Sequence, residues 1–273
     1  EPVGEAAMQL TDAVAIVTGS SHGVGAATAR MLADRGARVV VNCARSVADG
    51  ERVVADCKAR GVDAVLCQGD VASDADCRRM AATAMDRWGR IDVLVNSAGT
   101  TVFVHHADLE AMTSEAFTRI LAVNTLGPFQ MARAVAPHMK AGGQGAIVNV
   151  SSVAGLRGTG SSIAYGASKA ALNNMTVSLA RVLAPEVRVN AICPAFIDGR
   201  WLQDAFGDAF EGMKENWIRN SPLKKAPTPE EIADVVMWLV EGAALTTGQC
   251  IVCDTGMILG PQGSSTPPRA AGR

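Results

Sequence analysis

Ala13-Val14-Ala15-Ile16-Val17-Thr18-Gly19-Ser20-Ser21-His22-Gly23-Val24-Gly25 is the stretch that decides the fold. Its five leading apolar residues do not alternate with polar ones, so they read as a strand buried on both faces. Three glycines follow within seven positions, and a helical pattern then runs from 24 to 35. Glycine lets a chain reverse tightly and lets backbone N–H groups come close to an anion. The start of the next helix carries the partial positive charge that stabilises phosphate. Strand, glycine loop and helix in that order open a phosphate-binding βαβ unit; an ordinary strand-to-helix turn is the plainer alternative.

The rest of the chain repeats the alternation. Ala13–Thr18, Arg38–Asn42, Ala64–Cys67, Val93–Asn96, Ala146–Ser151, Arg188–Ile192 and Cys250–Cys253 read as seven strands, nearly all apolar throughout. Helical patterns fill the gaps at 24–35, 47–60, 74–87, 113–139, 163–184 and 229–240. Ser73 and Thr228 stand where N-caps belong, the latter followed by Pro229 at the first helical position. The expectation is an α/β, doubly wound Rossmann fold, a seven-stranded parallel sheet flanked by helices in a single domain. Residues 11–259 form that domain, between an N-terminal extension (1–10) and a Gly/Pro/Ser-rich tail (260–273), both read as flexible. Met8 is read as the native start.

Composition narrows the function classes. The formal net charge is −2 with both signs interspersed, which excludes a clustered nucleic-acid footprint. No stretch approaches the roughly 18 consecutive apolar residues of a membrane span, and the first nine residues do not resemble a secretory signal. Seven cysteines at irregular spacing read as free thiols of a reducing, cytoplasmic compartment. Cys250 and Cys253 make a C-x-x-C, but an offset of three on a strand points the two thiols to opposite faces, so no metal site is expected.

Tyr165 is the only tyrosine, and Lys169 follows four positions later. That spacing stacks both side chains on one helix face, where an ammonium would lower the phenol's pKa from about 10. Alone, Y-x-x-x-K is also a common chance match. With Thr18-Gly19-x-x-x-Gly23-x-Gly25 near the start and Asn96-Ser97-Ala98-Gly99 after the fourth strand, the chain resembles the short-chain dehydrogenase/reductase family from about residue 11 to 259, in its 3-oxoacyl-reductase-like branch.

The resemblance implies a hydride-transferring oxidoreductase acting between a nicotinamide and a carbonyl or secondary alcohol. It carries over four catalytic positions. Tyr165 is the general acid or base, and Ser152, thirteen residues before it, polarises the substrate oxygen. Lys169 holds the cofactor ribose, and Asn124 matches the family's helix-kink asparagine that holds a water beside the lysine. Asn124 reads equally as a helix-capping polar group. The cofactor set is Thr18, Gly19, Ser21, His22, Gly23, Val24, Gly25, Asn42, Arg45, Ser46, Asp70, Val71, Asn96, Ala98, Gly99, Tyr165, Lys169, Pro194 and Ile197.

A carboxylate about 20 residues past the glycines normally holds the ribose 2′-hydroxyl and marks NAD use. Here Asn42 occupies the expected position, while Arg45 and Ser46 are suited to a 2′-phosphate. NADP(H) is therefore expected over NAD(H), unless Arg45 is simply a solvated residue. Two departures from the family pattern stand in Cys193-Pro194-Ala195-Phe196-Ile197-Asp198-Gly199. Ala195 replaces a glycine and Gly199 replaces a threonine that helps seat the carboxamide.

Five of the eleven aromatics fall between Phe196 and Trp217. Trp201, Ala205, Phe206, Ala209, Phe210, Met213 and Trp217 trace an apolar stripe on one helix, read as a lid over about 196–222. The stripe either covers a hydrophobic, ring-bearing substrate or packs on the protein body. His105 and His106 read as a solvated loop. Lys214, Arg219, Lys224 and Lys225 suggest a basic patch for an acyl carrier, or else a solvated face. The family resemblance implies a homotetramer or homodimer through helices 113–139 and 163–184. Three functions are weighed: an NADPH-dependent reductase of a hydrophobic ketone or 3-oxoacyl compound, an NAD-linked dehydrogenase of a sugar, steroid or diol, and a non-catalytic dinucleotide sensor.

Overall fold

Residues 8–260 are described by the computed structural model, which builds one parallel sheet from every predicted strand. The strands are β1 (Val14–Thr18), β2 (Arg38–Cys43), β3 (Ala64–Gln68), β4 (Val93–Asn96), β5 (Gly145–Val150), β6 (Val187–Pro194) and β7 (Cys250–Cys253). They lie in the order β3-β2-β1-β4-β5-β6-β7, every pair parallel. Because the chain leaves β1 first toward β2 and later toward β4, the strand order reverses there. In open α/β sheets ligands settle in the crevice beyond that switch point.

Helices cover both faces. Ala15, Val17, Val39 and Val41 pack against α1 (Gly23–Asp34), α2 (Val47–Ala59) and α10 (Pro229–Glu241). Val14, Ile16, Val40 and Leu94, pointing the other way, pack against α3 (Asp74–Trp88), α5 (Gly127–Gly142) and α7 (Ile163–Leu183). This two-sided burial is why the strands read as continuous apolar runs. The foreseen caps are present: Ser73 accepts from the Asp76 N–H, and Thr228 with Glu231 forms a reciprocal box over α10.

Three expectations need correction, and one element was not foreseen. The helix expected over 113–139 is α4 (Ser114–Leu121), a π-helical turn (Ala122–Leu126) and α5. Gly127, just past that turn, lies against Val71, where a Cβ would meet Val71 Cγ2 at 2.7 Å. The single lid helix is instead α8 (Arg200–Phe206), a 3₁₀ turn and α9 (Phe210–Asn220), broken at Gly207 with φ +48°. A short helix α6 (Ala154–Arg157) was not foreseen. At the start, Met8 and Leu10 are buried in the core and the Met8 N–H donates to the Glu241 carbonyl, so residues 8–10 belong to the packed domain rather than to a flexible extension. The remainder of both terminal segments, 1–7 and 261–273, lies outside the described residues.

All seven cysteines are free thiols. Cys250 approaches the Asn173 carbonyl on the α7 side, while Cys253 packs against the α1/α10 side, the opposite-face arrangement that spacing required. Among the described residues no cluster of potential ligands could hold a metal ion, and no helix is long and apolar enough to cross a membrane.

Candidate active site

A cavity of 490 Å³ opens at the carboxyl ends of β1, β4, β5 and β6. Its floor is the glycine loop, where each glycine has a different physical reason. At Gly19 (φ +61°) a Cβ would lie 2.6 Å from Ala98 Cα, so glycine allows the loop to touch the turn after β4. At Gly25 a Cβ would lie 2.6 Å from the Gly19 carbonyl oxygen. Gly23 (φ +58°) has no atom within 4 Å of its absent Cβ and lines the cavity, leaving open a cradle at the start of α1. A dinucleotide's phosphates fit such a cradle.

Thr18 sits one layer beneath. Its Oγ1 accepts from the N–H groups of Ser97 and Ala98, both at 3.1 Å, fastening β1 to the loop after β4. Neither Thr18, Gly25 nor Asn96 lines the cavity; they support it. Asn96 is buried and donates to Asn149, which donates to Thr176, a polar ladder across β4, β5 and α7.

Asn42 lines the cavity, but its side chain is already engaged. Its Oδ1 accepts from the Gly19 N–H at 3.1 Å, and its Nδ2 donates to the carbonyls of Cys67 and Gly69 at 3.0 Å. Every polar atom of this 1%-exposed side chain therefore ties β1, β2 and β3 together. It is not the counterpart of a ribose-binding carboxylate. Arg45, by contrast, is exposed at the cavity with no carboxylate partner among the described residues. Ser46, Ser21, Val24, Ala98 and Gly99 line the same cavity. His22 does too, its Nδ1 3.0 Å from Ser21 Oγ; burial, then the nearby charge of Arg200, hold its pKa below the usual value. Asp70 caps its own turn through the Ala72 N–H and pairs with Arg119 at 2.7 Å, while Val71 packs beneath it.

Ser152, Tyr165 and Lys169 converge on the opposite wall. Ser162 caps α7 by accepting from the Tyr165 N–H, which fixes the register that presents Tyr165 and Lys169 together. The Ser152 hydroxyl donates to the Pro194 carbonyl at 3.3 Å and accepts from the Ala154 N–H at 3.1 Å. Ser151 turns away, donating to the Lys169 carbonyl.

The electrostatics differ from the sequence expectation. Burial raises the Tyr165 pKa, with a hydrogen bond to Ser152 pulling the other way. Lys169 Nζ donates to the Val150 carbonyl at 2.8 Å and lies 5.7 Å from the Tyr165 ring centroid. Burial brings its own pKa down to about 8. Desolvation thus outweighs the pull of the ammonium on the phenol in this arrangement and dominates both groups.

Asn124 does not line the cavity either. Fully buried in the π turn, it accepts from the Thr100 N–H at 2.8 Å and donates to the Thr100 carbonyl and to Ser168 Oγ. It braces the loop after β4 against α7.

Pro194, Ala195, Ile197 and Gly199 all reach the cavity. At Gly199 a Cβ would stand 3.3 Å from Pro229 Cγ, so a threonine there would need the proline that opens α10 to give by a few tenths of an ångström. The aromatic stripe divides its work. Phe196 stacks on Phe210 and Trp217 at 5.8 and 5.6 Å, inside the body. Trp201 instead lies against Gly99 at the mouth, and Phe206 meets Phe103 edge-on at 5.2 Å. Trp201, Arg200 and Arg119 line the cavity and were not foreseen as site residues. The stripe was the signal for Trp201; no sequence signal marked the two arginines. His105 and His106 stay on a loop outside the cavity, and His106 reaches the Gly160 carbonyl. In the basic cluster, Lys214 pairs with Asp198 and Lys225 with Glu231, while Lys224 donates only to the Arg219 carbonyl and keeps its charge, as does Arg219.

Residues 19–258 match a family model described as enoyl-(acyl carrier protein) reductase. A Streptomyces violaceoruber protein named as ketoacyl reductase 2 of a granaticin polyketide synthase is 44% identical over 243 residues, 89% of this chain and 95% of that protein. A solved short-chain dehydrogenase/reductase from Burkholderia xenovorans superposes with a TM-score of 0.85 at 38% identity, over 91% of this chain and 99% of that one. The chain belongs to the short-chain dehydrogenase/reductase family. It is accordingly an oxidoreductase of CH–OH and C=O groups, in a family that uses NAD(P). Two further family members bracket its relatives. The 3-oxoacyl-[acyl-carrier-protein] reductase of Synechocystis is 37% identical over 92% of this chain and 98% of its own. The Thermoplasma acidophilum aldohexose dehydrogenase has a TM-score of 0.82 at 29% identity, over 96% of this chain and 99% of its own.

Proposed function

We propose that this family member is an NADPH-dependent reductase of a hydrophobic, ring-bearing ketone or 3-oxoacyl compound, with Ser152, Tyr165 and Lys169 as its catalytic residues. The observation that carries the reading is the single cavity lined by the glycine loop, Arg45 and Ser46 at one end and by Ser152, Tyr165 and Trp201 at the other. The bound nicotinamide supplies the hydride. Ser152 redirects its hydroxyl from the Pro194 carbonyl to the substrate oxygen and polarises it. Tyr165, kept protonated by burial, donates its proton to that oxygen as negative charge develops there. Lys169 holds the ribose and supplies positive charge that assists the proton's departure. Asn124, its amide engaged by Thr100 and Ser168, is a positioning residue for α7.

NADP(H) preference is supported by the unpaired Arg45 and by the full engagement of Asn42, which leaves no acidic ligand for a 2′-hydroxyl at the end of β2. Trp201 in the cavity wall supports a ring-bearing substrate over a sugar. Exposed Leu126 and Phe129 beside α5, with Val177 and Val182 on α7, support assembly through these helices. The seven free thiols agree with a cytoplasmic setting. Steady-state reduction of a panel of aryl and alicyclic ketones with each nucleotide tests the reading. At least a tenfold advantage of NADPH is expected; an equal or larger advantage of NADH, with sugars or diols oxidised in preference, would favour the dehydrogenase alternative.

A further inference from the structure

We propose that Arg200, carried on the lid, is a phosphate ligand of the bound dinucleotide and that Asp49 is the partner on which it rests when that phosphate is absent. Arg200 opens α8, and its Nη2 reaches across to Asp49 Oδ2 on α2 at 3.0 Å. The guanidinium thereby spans the gap between lid and α2. It lines the main cavity, and also an adjoining 420 Å³ cavity that shares Ser21, His22 and Gly23 with it. It is near enough to His22 for its charge to act on that imidazole. Asp49 is also paired with Arg52, so releasing Arg200 leaves no carboxylate alone. Asp204, at 4.0 Å, is the only other carboxylate that pairs with Arg200 among the described residues. A phosphate dianion or pyrophosphate offers a planar guanidinium more charge and better two-point geometry than one shared aspartate does. With Arg45 lining the same cavity, the site would then present two arginines to the cofactor, one after β2 and one on the lid. The inference rests on the family's use of NAD(P) and not on the choice of substrate.

The test is nucleotide binding to the full-length protein without substrate, read from quenching of tryptophan fluorescence, Trp201 being adjacent to Arg200. NADPH and NADH are titrated into wild type, Arg200→Gln, Arg200→Lys and Asp49→Asn. Arg200→Gln is expected to weaken NADPH binding about tenfold, and Arg200→Lys less, because it keeps charge but loses the fork. Asp49→Asn, which frees Arg200, is expected to tighten binding about threefold. A loss confined to NADPH assigns the contact to the 2′-phosphate; an equal loss for both nucleotides assigns it to the pyrophosphate; either supports the proposal. The proposal is overturned if Arg200→Gln leaves both affinities within about twofold, or if Asp49→Asn weakens binding as much as Arg200→Gln does, since the pair would then be a structural strap. Should Arg200→Gln not fold, Arg200→Lys and Asp49→Asn still decide the question. Failure of wild type to bind either nucleotide would instead remove the functional reading beneath it.

Discussion

Replacing Gly25 by alanine isolates the packing of the phosphate loop from its chemistry. The new Cβ would fall 2.6 Å from the Gly19 carbonyl oxygen, 3.0 Å from Ser20 Cα and 3.1 Å from the Gly19 carbonyl carbon, all backbone atoms that no rotamer change can clear. Gly19 has no room to retreat. Its N–H is held by Asn42 Oδ1 at 3.1 Å, and its own Cβ position is 2.6 Å from Ala98 Cα. Clashes with three backbone atoms put the overpacking in the upper part of its usual range, about 2–3 kcal/mol, while alanine inside a helix returns about 0.8–1 kcal/mol, for a net loss of about 1–2 kcal/mol. In a domain of this size that is a fall of about 2–8 °C in melting temperature. Gly212 is the matched control: it lies in α9, is exposed, has nothing within 4 Å and needs no positive φ. Gly212→Ala is expected to stabilise by about 0.5–1 kcal/mol. The assay is thermal unfolding of both variants, without ligand, by circular dichroism. Equal or raised melting temperatures for both would refute the claim that the loop is packed to contact at Gly25.

Two other substitutions test how the site is held. Asn42→Asp, which mimics the acid usual in NAD-linked relatives, is expected to destabilise the fold by about 3–5 kcal/mol and not to create NAD preference, because it buries a charge and removes both donors to Cys67 and Gly69; chemical denaturation and the NADPH/NADH affinity ratio check both halves. Lys169, with its folded pKa at about 8 against 10.5 unfolded, makes the unfolded chain the better proton binder between those values, so raising the pH through that window favours the fold. The stability of wild type relative to Lys169→Met should therefore rise from pH 7 to pH 10 in urea titrations; a flat difference contradicts the burial account.

Most of the sheet was legible because its strands are apolar on both faces, so Val39–Val41 and Val93–Val95 announce themselves without context. The site was legible where one local device sets it: the glycine loop, and the helical spacing of Tyr165 and Lys169. It was not legible where distant strands meet. Nothing near Asn42 reveals that carbonyls of residues 67 and 69 will occupy its amide, nor that Pro229 will crowd the position beside Gly199. The lid stripe was read at one helical period, yet Gly207 resets the phase, which sends Phe210 and Trp217 inward while Trp201 faces Gly99. The Tyr165 shift was read from the lysine's charge alone, whereas burial outweighs it once Lys169 turns to Val150.

Tyr165→Phe tests the central claim most directly. Removing one hydroxyl leaves the ring, the Ser162 cap and the glycine loop in place, so NADPH affinity by tryptophan quenching should stay within about twofold. The account predicts that kcat for ketone reduction falls by at least about a hundredfold in the same preparation. Retention of both binding and turnover would show that the proton comes from another group and would contradict the assignment.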